Sequence, residues 1–175
     1  MSSMVNVMLV DDLKIIREGI KALLADVPGI NFITEADNGE DAIDKFEIYD
    51  IDLVIIDIEM PGIDGVETTK RLIQNHPEAK VLGFSMHAEE ATIEAMIDAG
   101  AKSYILKNFG KEELIEAMEM VNNNQYFFTA GLTGTALFIA AIAFRLLSKK
   151  LEQSEALIKQ QTKKAEYLQR HTRRT

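Results

Sequence analysis

Five short apolar runs rich in Val and Ile, each followed by a stretch with helical spacing, fill the first 125 residues of this chain. The runs are Val5–Val10, Asn31–Glu35, Leu53–Ile56, Lys80–Phe84 and Ser103–Leu106. The spacing predicts helices over Leu13–Ala25, Glu40–Phe46, Gly65–Asn75, Glu90–Ala99 and Lys111–Val121. In the first of these, Ile16, Ile20, Leu23 and Leu24 recur at i, i+4, i+7 and i+8 and make one apolar stripe. Pro28-Gly29, Asn38-Gly39, Pro61-Gly62, His76-Pro77 and Gly100 fall between elements, where turns belong. A strand that must return parallel to its neighbour needs a helical crossover, so five such repeats imply a parallel sheet covered on both faces. Val5–Val10 and Leu53–Ile56 are almost uninterrupted apolar, as strands buried on both sides are. The expected fold is a doubly wound α/β domain over residues 1–125.

In such sheets the ligand site lies beyond the carboxyl ends of the strands. The first strand ends in Asp11-Asp12, the third in Asp57, the fourth in Ser85 and the fifth in Lys107. Three carboxylates at one edge repel one another, and a divalent cation removes that conflict. Oxygen-only ligands suit a hard ion such as Mg²⁺. With Lys107 as a second positive charge, the set can hold an anion against a carboxylate, which is what phosphoryl transfer to a carboxylate nucleophile requires. Other chemistries lack their residues. There is no cysteine, so disulfides, thiol nucleophiles and thiolate-held metals are excluded, and three scattered histidines leave no room for a multi-histidine site. A flavin-binding sheet needs a glycine- or hydroxyl-rich phosphate loop where Asp11-Asp12 stands. An aspartyl phosphatase of the haloacid-dehalogenase type needs Asp-x-Asp on its first strand. The start, MSSMVNVMLV, lacks a basic n-region and reads as a strand rather than a signal peptide.

Residues 4–122 resemble the receiver domain of two-component response regulators. The resemblance rests on Leu9-Val10-Asp11-Asp12, on Asp57 followed by Met60-Pro61-Gly62-Ile63-Asp64-Gly65, on Ser85, on Gly100-Ala101 and on Tyr104-Ile105-Leu106-Lys107. The wording VLGFSMHAEE and GAKSYILK is similar to the LuxR/NarL-type branch. The resemblance implies a flavodoxin-like (βα)₅ fold in which Asp57 accepts a phosphoryl group from a histidine kinase or phosphotransfer protein. It implies Mg²⁺ bound by Asp12, Asp57 and the backbone carbonyl of Glu59, with Asp11 acting through water. Ser85 and Lys107 would contact the phosphoryl oxygens, and Tyr104 would be the switch aromatic. The switching and homodimerising face would be helix four, strand five and helix five. Such a domain catalyses its own aspartyl phosphorylation and dephosphorylation and works in the cytoplasm, where kinase and ATP are. The chain departs from the family pattern after Lys107, where Asn108 replaces a frequent proline. On residue type alone, His87 reads as a solvated loop residue, the Glu59 side chain as solvent-facing, and Met86, Met96, Met118 and Met120 as core and interface filler.

The pattern changes at Tyr126. Residues 145–175 carry nine Lys/Arg and three Glu, against ten Lys/Arg and 25 Asp/Glu in residues 1–144. An acidic body with a basic tail predicts two pieces. No helix-turn-helix follows the domain, so this chain is read as having no DNA-binding domain. Residues 126–147 are apolar except for Arg145 and come close to the roughly 20 residues that span a bilayer. Together with residues 148–175 they resemble a sensor kinase's transmembrane helix and linker. One crossing would put the receiver and Lys149-Lys150 on opposite sides, against the positive-inside rule, so a soluble helical extension competes with a membrane anchor. Leu151, Ile158 and Ala165 recur every seven residues, with Leu147, Ser154, Gln161 and Leu168 offset from them. Asn122-Asn123-Asn124 disfavours helix and predicts a hinge at Asn122–Gln125, with one long helix beyond it. The alternative to a phosphoacceptor is therefore a membrane-tethered or dimerising interaction module.

Overall fold

The structure is a computed structural model that describes residues 4–129, 144, 147–148 and 151–164. The elements follow in the order β1 (Val5–Val10), α1 (Lys14–Leu24), β2 (Ile30–Ala36), α2 (Gly39–Ile48), β3 (Leu53–Asp57), α3 (Gly65–Asn75), β4 (Val81–Ser85), α4 (Glu90–Ala99), β5 (Ser103–Leu106), α5 (Lys111–Asn122) and β6 (Phe127–Phe128). A C-terminal helix, α6, covers residues 151–164. The strands form one parallel sheet in the order β2-β1-β3-β4-β5-β6. The chain reverses direction of travel between β1 and β3, so their carboxyl ends flank the crevice at which doubly wound sheets bind ligands.

Alternation along the strands divides the core. Val7, Leu9, Leu53, Ile55, Leu82, Phe84 and Ile105 pack with Ile20 and Leu24 of α1 and with Leu114, Ala117, Met118 and Val121 of α5. The intervening residues Met8, Val10, Val54 and Ile56 are equally buried and point to the opposite face of the sheet. Gly83 of β4 leaves that face open to α4, since a Cβ there would lie 2.6 Å from the Met96 side chain. Met96 and Met118 are core, whereas Met86 is exposed.

Helix boundaries follow from capping chemistry. Asn38 accepts a hydrogen bond from the Asp41 amide at 2.8 Å and starts α2; Asp64 accepts from the Glu67 amide at 2.8 Å and starts α3. The end of α5 is a Schellman motif. The amide of Gln125 reaches the Met120 carbonyl at 2.8 Å, that of Asn124 reaches Val121 at 3.0 Å, and Asn124 has φ 60°. Two lysines from the same end of the sheet hold this turn. Lys80 Nζ donates to Asn122 Oδ1 at 2.8 Å and Lys102 Nζ to Asn124 Oδ1 at 2.5 Å.

This corrects two expectations. The asparagine run ends α5, but Asn122–Gln125 is anchored rather than hinged. The chain does not enter a helix at Tyr126. Instead Phe127 and Phe128 pair with Ser103 and Tyr104 as a sixth strand. The Phe127 amide donates to Lys102 O at 3.0 Å, and its ring packs on the core. The chain divides into two compact units, Met1–Leu132 and Thr133–Thr175, so β6 lies in the first of them. A chain ending at Gln125 should be less stable than one ending at Leu132 by about 1–3 kcal/mol, the burial of an aromatic side chain, as urea denaturation would measure. Equal stabilities would mean that β6 contributes nothing. Among the described residues, no helix is long and apolar enough to cross a membrane. Most of the apolar segment 126–147, on which the membrane expectation rests, lies outside the described residues.

Candidate functional site

The carboxyl ends of β1, β3, β4 and β5 bring Asp11, Asp57, Ser85 and Lys107 together. Asp11 and Ser85 are fully buried, Asp57 nearly so, and Asp12 faces outward at the rim. Carboxylate oxygens of Asp11, Asp12 and Asp57 all lie within 4.8 Å of one another. Lys107 Nζ stands 2.7 Å from Asp57 Oδ2 and 3.1 Å from Asp11 Oδ2, and 4.8 Å from the centre of the Phe84 ring. The remaining oxygens are taken up by the adjacent backbone. Asp11 Oδ1 accepts from the Leu13 amide at 2.8 Å and Asp57 Oδ1 from the Glu59 amide at 3.1 Å.

Burial pushes the Asp57 carboxyl above its usual range, and the bonds from Lys107 and Glu59 only partly offset this. Burial likewise opposes the charge on Lys107, but its bonds to Asp57 and Asp11 outweigh that and hold its pKa above the ordinary value. One ammonium thus faces two buried carboxylates, with a third at the rim. An all-oxygen donor set with excess negative charge fits a hard divalent cation. Glu59, whose carbonyl belongs to the same loop, stands two residues beyond Asp57.

The loop after β3 is closed tightly. The Gly65 amide donates to Ile58 O at 3.0 Å, and a Cβ on Gly65 would lie 2.3 Å from the Asp57 carbonyl oxygen. Only glycine lets α3 start this close to Asp57. The Lys107–Asn108 bond is trans, as are all peptide bonds among the described residues.

Ser85 and Tyr104 are joined through one backbone segment. Ser85 Oγ accepts from the His87 amide at 3.0 Å, and Tyr104 Oη donates to the His87 carbonyl at 2.7 Å. Tyr104 is fully buried, and burial raises its pKa. The His87 ring is exposed, as expected of a loop residue, and its backbone makes both contacts. The Glu59 side chain does more than face solvent: its Oε1 accepts from Ser85 Oγ at 3.3 Å and lies 3.9 Å from His87 Nε2.

One positioning residue escaped the sequence reading. Arg17 Nη1 donates to the Asp11 carbonyl at 2.5 Å, while its Nε bonds Glu35 Oε2 at 2.7 Å. Lys21 bonds the other Glu35 oxygen at 2.5 Å. Lys21, and after it Arg17, holds Glu35 below the usual carboxylate range against the opposing effect of burial. A depressed folded-state pKa stabilises the fold above the unfolded value, and that contribution is lost as pH falls through the folded one. Glu35→Gln should therefore lose about 0.5–1 kcal/mol at neutral pH and flatten the acid limb below pH 4.5. An unchanged acid limb in chemical denaturation would contradict this.

Residues 7–119 match the response regulator receiver domain family. The transcriptional regulatory protein DegU of Brevibacillus brevis is 37% identical over 117 residues, which cover 67% of this chain and 50% of that protein. Response regulator UvrY of Escherichia coli is 33% identical over 129 residues, covering 74% of this chain and 59% of its own length. Among solved structures, a LuxR-family two-component response regulator from Aurantimonas matches with a TM-score of 0.70 at 29% identity, over 83% of this chain and 99% of that one. The signal receiver domain of NarL from Mycobacterium tuberculosis matches with a TM-score of 0.67 at 27% identity, over 70% of this chain and 99% of that one. The chain belongs to the response regulator receiver family, in the LuxR/NarL type that its wording suggested. It contains the receiver domain of a two-component response regulator, a module consistent with phosphorylation-dependent signalling. It spans about half to three-fifths of the length of these curated relatives.

Proposed function

We propose that Asp57 accepts a phosphoryl group from a histidine kinase or phosphotransfer protein and that the resulting charge switches the α4–β5–α5 face. The observation that carries this reading is the buried Asp57 carboxylate, 2.7 Å from the Lys107 ammonium and grouped with Asp11 and Asp12. An Asp57 oxygen attacks phosphorus; the new P–O bond forms as the P–N bond of phosphohistidine breaks and the imidazole leaves. Asp11, Asp12, Asp57 and the Glu59 carbonyl would hold Mg²⁺, which when bound would neutralise the crowded carboxylates and the transferring oxygens. Lys107 exchanges its Asp57 contact for a phosphoryl oxygen. Ser85 leaves Glu59 Oε1 and donates a hydrogen bond to another phosphoryl oxygen.

The output follows from the same bonds. Drawing Ser85 toward Asp57 pulls the His87 segment, and with it the acceptor of the Tyr104 hydroxyl. A local charge change then biases the position of the β4–α4 segment. An apolar groove of about 220 Å³ runs from Ile15, Ile16 and Ile20 of α1 to Phe109 and ends at Lys107. Exposed Ile15 and Met86 at its rim favour docking of the donor's apolar surface beside the acceptor.

Acetyl phosphate with Mg²⁺ tests the reading on the intact chain. The expected result is a mass gain of one phosphoryl group, mapped to Asp57 and lost in hydroxylamine. Labelling that persists in excess EDTA, or that maps elsewhere, would overturn it.

A further inference from the structure

Every residue of α6 from 151 to 164 is exposed. A solvent-exposed helix gains most of its stability in water from packing an apolar face on a partner. Its apolar side chains define where that partner sits. Phe144, Leu147, Leu151, Ser154, Ile158 and Gln161 follow one another at alternating steps of three and four, and Ala165 and Leu168 continue the series in the sequence. Phe144, Leu147, Leu151 and Ile158 are 73%, 68%, 62% and 60% exposed. We propose that α6 pairs with α6 of a second copy of this chain, as a parallel, in-register two-stranded coiled coil with Leu151 and Ile158 as its central layers.

A second copy is favoured over other occupants by the chemistry of the seam and its flanks. The seam is narrow, widened only where exposed Leu157 lies beside Ile158, and is broken by Ser154 and Gln161. A helix lying on a lipid surface needs a broad, unbroken apolar face. In a coiled coil, polar residues at seam positions are tolerated where each meets its own counterpart, which happens only in register. Charge sets the direction. In the parallel arrangement, Lys150 flanks the seam opposite Glu155 of the second copy. An antiparallel pair that sets Ser154 against Ile158 would instead bring Lys150 beside Lys164. Pairing of α6 would hold two receivers at high effective concentration whether or not they are phosphorylated.

The absence of cysteine from the chain makes the test clean. In the full chain, Ser154→Cys places one thiol in the seam and Lys159→Cys places one on the outer face. The expected results are twice the chain mass by sedimentation, rapid disulfide dimerisation of Ser154→Cys and none of Lys159→Cys. The double variant L151D/I158D should sediment as a monomer and still take up phosphate from acetyl phosphate. A monomeric wild type, a double variant that stays dimeric, or linking through Lys159→Cys in preference to Ser154→Cys would each overturn the proposal. So would a wild type that is monomeric alone and binds phosphatidylserine vesicles.

Discussion

Asp57→Ala should take up no phosphoryl group from acetyl phosphate in Mg²⁺ and should keep the receiver fold. No other side chain at the site combines a carboxylate, nearly complete burial and a position at the end of the central third strand. Asp11 is also buried, but its Oδ1 is tied to the Leu13 amide at the turn into α1. Removing Asp57 does not orphan the ammonium, because Lys107 keeps Asp11 at 3.1 Å. Stability without Mg²⁺ should therefore stay within about 1 kcal/mol of the parent, since a lost ion pair is set against the relief of a desolvated carboxylate. The pH dependence should change in a definite direction. Burial raises the folded-state pKa of Asp57 above 3.8, so the folded chain binds this proton more tightly than the unfolded chain. Its ionisation removes stability as pH rises through the window from 3.8 to the raised value, and Asp57→Ala should abolish that slope. Intact-mass spectrometry and urea denaturation across pH check both parts. Undiminished labelling of Asp57→Ala would sink the assignment.

Lys107→Ala and Asp12→Ala should separate the anion-facing and metal-facing halves of the site. Lys107 is the cation between two buried carboxylates, its own side chain only 10% exposed. Without it, Asp11 and Asp57 face each other uncompensated, and stability in EDTA should fall by about 2–4 kcal/mol. Mg²⁺ should restore much of that loss, because a divalent ion neutralises the same oxygens. Asp12 lies at the rim and makes no contact with Lys107 at hydrogen-bonding distance. Asp12→Ala should therefore leave the EDTA stability nearly unchanged, yet lose the stabilisation by Mg²⁺ and slow transfer by about 10²-fold or more. Thermal unfolding with and without Mg²⁺ distinguishes the two. Equal loss of Mg²⁺ response in both variants would contradict this division of labour.

The strand ends were legible because a parallel sheet collects them at one edge, so residue type at five positions carried most of the site. The bounds of α3 and α4 were legible for local reasons: Asp64 caps one, and Gly100 with φ 110° ends the other. What sequence hid is held by contacts across the chain. Arg17 looks like any charged position of an amphipathic helix, and only the packing of α1 on β2 aims it at the Asp11 carbonyl. Phe127–Phe128 is too short to show a period and stands at the start of the long apolar segment 126–147. The asparagine run was correctly read as a helix breaker. The hydrogen bonds that hold the turn come from Lys80 and Lys102, which are remote in sequence. The backbone of His87 joins Ser85 to Tyr104, and side-chain identity does not reveal main-chain contacts.

The burial of Tyr104 also makes this protein its own optical probe. The chain has no tryptophan and four tyrosines, so its near-ultraviolet emission comes from phenol rings alone. Tyr49 and Tyr126 are exposed, at 43% and 42%, and already experience water. Tyr104 is shielded from solvent, and its hydroxyl is committed to a carbonyl on the segment that Ser85 would pull. Emission and quencher access would therefore register a rearrangement of that segment in real time, with no dye attached and no residue replaced.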